Sequence, residues 1–251
     1  MENKRYFLEL AYNGSNYHGW QIQANAHTVQ EEVNNALAKL LKHPAETMGS
    51  GRTDTGVHAR QQILHFDYGD IRDKQDLLKR LNSVLPKDIA VYNLKEVKPI
   101  AHARFSATSR SYKYYISLRK NPFEEGLSWH RFQSRLDVDK MNEASGILKG
   151  YRDFQCFSKV KTEVDNFECE IKEAFWEQKA QHLIFHITAN RFLRGMVRAI
   201  VGTMILVGEG KLDMDGFRAV IESKNRSRAG SSAPAHGLYL CAVAYPEDIY
   251  Q

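Results

Sequence analysis

Between residues 49 and 59 the chain reads GSGRTDTGVHA, which brings three glycines, an arginine, an aspartate and a histidine into one short connection. Three chemistries could use it. Gly49, Gly51 and Gly56 could offer backbone amides to a phosphate, but a P-loop needs GxxxxGK[ST] opening a helix, whereas a strand pattern follows here and the lysine is missing. Asp54-Thr55-Gly56 also spells the DTG of a paired-carboxylate protease. That class wants an essentially all-β chain, and Arg52 two residues upstream would oppose the raised carboxyl pKa that a shared proton requires. The third reading is a single carboxylate, Asp54, on a loop shaped by glycine and kept ionised by an arginine. Such a group suits nucleophilic attack or proton abstraction rather than hydrolysis by a carboxylate pair.

The elements that must carry this loop follow from periodicity. RYFLELAY alternates as a strand, and Thr28 with Glu31 makes a T-x-x-E capping box that opens TVQEEVNNALAKLLKH. Val29, Val33, Ala36, Leu37, Leu40 and Leu41 share one face of that helix. A short strand near Met48, the glycine-rich loop, the strand QQILHFDY, a helix that stops before Pro86 and the strand DIAVYNLKEV complete a β-α-β-β-α-β order. This is the ferredoxin-like split βαβ unit, with two helices on one face of an antiparallel sheet and the other face left for a ligand.

The second half repeats the order with one extra helix. RSYKYYISLR, CEIKEAFWEQ, HLIFHITA and GLYLCAVAY read as strands. VDKMNEASGILKG, RFLRGMVRAIVGTMILV and MDGFRAVIES read as helices. The expected fold is therefore α+β, two ferredoxin-like subdomains (1–104 and 105–251) with antiparallel sheets joined around a central cleft, their free face a natural place for RNA. On the RFLRGMVR helix, Arg191, Arg194 and Arg198 fall at i, i+3 and i+7, a basic stripe opposite Met196, Val197, Ile200 and Met204.

Charge and composition narrow the class. The 251 residues are 43% hydrophobic with a net charge of +5, enough for a core and compatible with a polyanionic partner. MENKRYFLEL lacks the apolar stretch of a secretory signal and no 18-residue apolar run occurs, so a cytoplasmic protein without a membrane segment is expected. Cys156, Cys169 and Cys241 are odd in number and widely spaced, which fits a reducing compartment. His182 and His186, with Cys169 nearby, do not meet zinc spacing, and no metal is expected.

Several segments, taken in order, carry a resemblance. GSGRTDTGVHA resembles the GxGRTDxGVHA loop of the tRNA pseudouridine synthase A family, YHGWQ (17–21) its [FY]xGWQ, and HARFSATSRSYKYYI (102–116) its HARFxAxxRxYxY strand. DFQCF (153–157), NRFLRGMVRAIVG (190–202) and GLYLCAVAYP (237–246) are similar to later segments. The resemblance implies isomerisation of uridine to pseudouridine at positions 38, 39 and 40 of the tRNA anticodon stem-loop by a homodimer without a cofactor. It makes Asp54 the catalytic residue, leaving open attack on C1′, attack on C6 or a glycal route. It gives Arg198 the salt bridge to Asp54, has Tyr112 pack on the target base, and sends Arg52 to the flipped nucleotide or its phosphate. Thr55 departs from the alanine usual after the aspartate, and Arg194-Gly195 from a commonly histidine-bearing pair. A non-catalytic tRNA-binding protein on the same fold and a synthase with another RNA target are the competing readings. Arg191, Arg194, Arg104, Arg110 and Lys113 are either phosphate contacts or ordinary surface charges.

Overall fold

A computed structural model describes residues 3–132, 135–159 and 165–250. The chain divides into two compact units, Met1–Thr108 with Leu240–Gln251, and Ser109–Tyr239. The first holds β1 (Lys4–Tyr12), α1 (Val29–Leu41), β2 (Met48–Gly49), β3 (His58–Tyr68), α2 (Lys74–Val84) and β4 (Ile89–Val97), in the order the periodicity predicts. Strands run β4-β1-β3, all antiparallel, with β2 beside the far half of β3 through Met48↔His65 and Gly49↔Leu64.

Alternation along β1 sends Tyr6, Leu8, Leu10 and Tyr12 into the core, where the helices supply the facing apolar stripes. On α1 these are Val29, Val33, Ala36 and Leu37, while Leu40 and Leu41 at the helix end are only half-buried. Each such side chain contributes about 1.5–3 kcal/mol when fully buried. The helix starts are set by capping: Thr28 Oγ1 accepts from the Glu31 amide at 3.4 Å, and Asp73 Oδ1 from the Asp76 amide at 2.8 Å. The Asn82 side chain then ties α2 to β4, bonding both the amide and the carbonyl of Val91 at 2.8 Å.

The opposite face of this sheet is not left open along its whole length. Phe7 and His65, cross-strand partners on it, are buried. The covering chain is the segment after β4: the Ala103 amide donates to His65 Nδ1 at 3.1 Å, Arg5 Nη1 donates to Ala101 O at 2.9 Å, and Tyr245 packs edge-on to Phe7 while its hydroxyl donates to Ala103 O at 2.6 Å. Apolar Phe7 would otherwise face water.

The second unit holds β5 (Ser109–Ser117), β6 (Trp129–His130), α3 (Val138–Leu148), β7 (Ile171–Lys179), β8 (His182–Ala189), α4 (Met196–Gly208) and α5 (Met214–Glu222). Its antiparallel order is β5-β8-β7, with β6, a short strand the periodicity did not anticipate, parallel to β5. The last strand, β9 (Leu238–Ala244), begins in this unit, but residues 240–251 belong to the first. The physical reason is hydrogen bonding: Val243 donates its amide to Gln61 Oε1 at 2.9 Å, and Thr108 donates to Ala244 O at 2.8 Å.

One helix boundary differs from expectation with consequences for charge. The helix expected over RFLRGMVR begins only at Met196, because Gly195 sits at φ +72 and turns the chain out of the right-handed region. Arg194 O accepts the Lys159 amide at 2.9 Å instead of an intrahelical partner. Arg191 and Arg194 are thus loop residues, and the basic helical stripe through Arg191, Arg194 and Arg198 does not exist; only Arg198 is helical. From Met196 on, α4 is buried on nearly every side, as an apolar central helix should be.

Candidate active site

The loop that carries Asp54 is fixed at both ends and braced in the middle. Ser50 donates its amide to Ile63 O at 2.7 Å, and the Gln62 side chain bonds Ser50 Oγ at 2.5 Å and Gly51 O at 3.0 Å. Beyond it, Val57 donates to Asp54 O at 3.1 Å, closing a turn whose third residue, Gly56, has φ +75, the pattern of a type II turn. Asp54 is therefore the first residue of a tight turn leading into β3, half-exposed, with buried Thr53 before it and exposed Arg52 before that.

The brace comes from residues 17–21. Trp20 donates its amide to Thr53 O at 3.3 Å, and Gly56 donates to Tyr17 O at 3.3 Å, so this segment holds the loop on both sides of the aspartate. Gly19 makes the approach possible: its φ is +92, and a Cβ there would stand 2.4 Å from Thr53 O. Gly49 is the matching gap, since a Cβ on it would lie 2.4 Å from the Trp20 indole nitrogen. The Trp20 ring stacks on Tyr12, and the Tyr12 hydroxyl hydrogen-bonds Thr53 Oγ1 at 2.8 Å. Tyr17 is anchored in turn by donating to Asp88 at 2.6 Å, and burial together with that carboxylate pushes its phenol pKa up. The YHGWQ motif, which has no role assigned from its residue types, is this brace. The glycine beside a tryptophan was the available signal.

Two further histidines left unassigned by sequence are structural. His58 Nδ1 accepts the Gly14 amide at 3.0 Å, and a Cβ on Gly14 would collide with Val57 O at 2.0 Å. His65 is pushed down to about 4, first by burial, then by Arg5 and His102. Each ring accepts a backbone amide at Nδ1, His58 beside the loop and His65 under the segment after β4.

In the second unit, Tyr112 and Tyr114 lie on one face of β5 but differ in setting. Tyr114 is fully buried, donates to Pro234 O at 2.8 Å, and fills the space that keeps residue 237 a glycine, where a Cβ would be 2.6 Å from its ring. Burial raises its pKa against the opposing influence of Arg198. Tyr112 is half-exposed and packs edge-on against Phe192 at 5.1 Å. It is the tyrosine of the pair with surface left for a ligand.

Arg198 lies in the first turn of α4, and its Nε donates to Ala233 O at 2.7 Å while its own carbonyl accepts the Ala233 amide at 2.9 Å. The 230–234 segment can sit this close because α4 has Gly202 there: a Cβ would lie 1.8 Å from Ser231 O. Thr203 Oγ1 accepts the Gly230 amide at 2.9 Å. The Nε bond to a backbone carbonyl fixes one edge of the guanidinium plane. Asp54 and Arg52 are thus on the first unit, Tyr112 and Arg198 on the second. Among the described residues no cluster of three or more His, Cys, Asp or Glu could hold a metal ion, and no helix is long and apolar enough to cross a membrane.

These motifs have counterparts in known proteins. A family model described as tRNA pseudouridine synthase matches residues 10–106 and 144–246. The chain is 51% identical over 248 residues to the tRNA pseudouridine synthase A of Parabacteroides distasonis, covering 98% of each. It is 50% identical over 250 residues to that of Bacteroides thetaiotaomicron, covering 98% of this chain and 93% of the relative. The protein of that name from Bacillus pumilus is 41% identical over 240 residues, covering 94% and 97%. With matches of this extent across both units, the chain belongs to the tRNA pseudouridine synthase family.

Proposed function

We infer that this protein isomerises uridine to pseudouridine in tRNA, at positions 38, 39 and 40 of the anticodon stem-loop, as a homodimer and without a cofactor. The reaction breaks N1–C1′, forms C5–C1′, moves the C5 proton to solvent and leaves a proton on N1, so atoms and electrons balance with no oxidant. One group must engage the sugar or the ring, and Asp54 is that catalytic residue. The observation that carries the reading is the bracing of this one loop: Gly19, Trp20 and Tyr17 hold the backbone around Asp54 and Gln62 holds the start of the loop, while Asp54 is half-exposed.

Arg52, exposed on the same loop, suits the flipped nucleotide or its phosphate, since a stem base must leave the stack before its sugar bond is attacked. Tyr112 packs on the target base. Arg198, held through Nε, is assigned to a salt bridge with the Asp54 carboxylate, which would fix the orientation of that carboxylate. Each unit is read as a ferredoxin-like subdomain, the first supplying the catalytic loop; its β4-β1-β3-β2 antiparallel order favours this.

The test uses tRNA tritiated at uridine C5, with a binding assay at stated salt. Wild type is expected to release tritium and Asp54→Asn to bind tRNA without release. Release by Asp54→Asn at the wild-type rate would remove Asp54 from the chemistry. Binding without release by either protein would make the chain a tRNA binder or a synthase for another RNA.

A further inference from the structure

Immediately after β4, residues 102–106 form a turn whose backbone is locked on all sides. The amides of Arg104 and Phe105 both donate to His102 Nδ1, at 3.1 and 3.2 Å. Ser106 closes the turn twice, its amide donating to His102 O at 2.9 Å and its hydroxyl accepting the His102 amide at 3.0 Å. Below, Ala101 and Ala103 are buried, and the Ala103 amide is held by His65. The His102 ring is gripped between His65, edge-on at 4.6 Å, and the Phe105 ring at 4.4 Å.

On this mount Phe105 stands 74% exposed, with the Arg104 guanidinium 5.4 Å from its ring centre. A phenylalanine turned to water costs the hydrophobic free energy it would gain inside, and a rigid mount denies it the option of folding inward. A rigid aromatic with two side-chain torsions loses little entropy on binding a flat partner. An aromatic face beside a guanidinium is the pairing that stacks an unstacked base and meets the adjoining phosphate. Arg5, which holds the Ala101 carbonyl beside the turn, also pairs with Asp67 through two 2.7 Å bonds, so that carboxylate's charge is offset.

We propose that the 102–106 turn is a preformed stacking platform for RNA, on which Phe105 packs against a nucleobase of the bound tRNA and Arg104 contacts a neighbouring phosphate. The proposal rests on tRNA being the substrate, and adds a contact outside the catalytic loop. Phe105 is exposed, so its variants are expected to keep the wild-type melting temperature, which is measured alongside.

The experiment measures tRNA affinity across a salt series, and oligomeric state by sedimentation, for wild type, Phe105→Leu, Phe105→Trp and Arg104→Gln. Phe105→Leu keeps apolar bulk without a π face and is expected to weaken binding roughly ten-fold at unchanged salt slope, with Phe105→Trp retaining affinity. Arg104→Gln is expected to lower the log–log salt slope by about one. Wild-type affinity in Phe105→Leu would overturn the platform while leaving the enzyme's substrate intact. Dissociation of the oligomer by Phe105→Leu would show instead that the turn packs against a second copy of this chain. Failure of wild-type protein itself to bind tRNA would overturn both this inference and the functional reading beneath it.

Discussion

At position 19 the chain has room for a hydrogen and for nothing larger, because the carbonyl of Thr53, one residue before Asp54, occupies the place of a side chain. Gly19→Ala would meet that carbonyl at 2.4 Å and would also put alanine at φ +92. Strain of this kind costs about 1–3 kcal/mol, and relief by pushing the Thr53–Asp54 peptide would misplace the carboxylate. The expected result is a modest fall in melting temperature and a loss of tritium release of roughly 100-fold; activity falling only in step with the folded fraction would refute the bracing role. Tyr112 and Tyr114, which share a face of β5, separate in the opposite sense. Tyr112→Ala is expected to abolish release with stability little changed, whereas Tyr114→Ala, emptying a fully buried site, should cost about 3–5 kcal/mol in unfolding. Release unaffected by Tyr112→Ala would sink its role. Alternation alone put both on one face and could not tell them apart, because depth depends on Pro234 and Gly237, more than a hundred residues along the chain.

Elements were legible where a period repeats and illegible where one residue's φ decides. The first β-α-β-β-α-β run could be read from alternation, and the start of α1 from Thr28. The start of α4 could not, since RFLRGMVR has helical spacing throughout and only the left-handed Gly195 cuts it. The cover over the second face of the first sheet was hidden for another reason: HARFSA has no period, and its grip on that sheet runs through His65. That grip has a pH signature. His65 titrates near 4 in the folded protein against about 6.5 when unfolded, so the unfolded chain takes up a proton first as pH falls. The stabilisation is complete above pH 6.5 and is lost as pH falls towards 4, on the order of 3 kcal/mol at most. The lowered His102 acts in the same direction. Denaturant unfolding between pH 7 and 4 should show this slope, and His65→Asn, which keeps an acceptor for Ala103 but cannot titrate, should flatten it. An unchanged slope would assign the acid sensitivity elsewhere.

For the whole molecule, the net charge of +5 says that a polyanion is tolerated, and says nothing of where it is gripped. The structure distributes exposed cations over both units: Arg60, Arg72 and Lys87 on the first, Arg119, Lys149 and Arg228 on the second. That spread over both units was invisible in the sum. If the chain holds tRNA through many separate phosphate contacts, each contact releases condensed counterions, and the log of affinity falls against log salt in proportion to their number. An isolated anticodon stem-loop carries the reacting uridines but fewer phosphates within reach of these cations. The expected outcome is a steeper salt slope for full tRNA than for the stem-loop, with tritium release from both at low salt and from full tRNA alone as salt rises. Equal slopes would confine recognition to the stem-loop and leave the outlying cations to solubility. In that case the reading of substrate would have to rest on the Asp54 loop and the two β5-unit residues, Tyr112 and Arg198, without help from the surface around them.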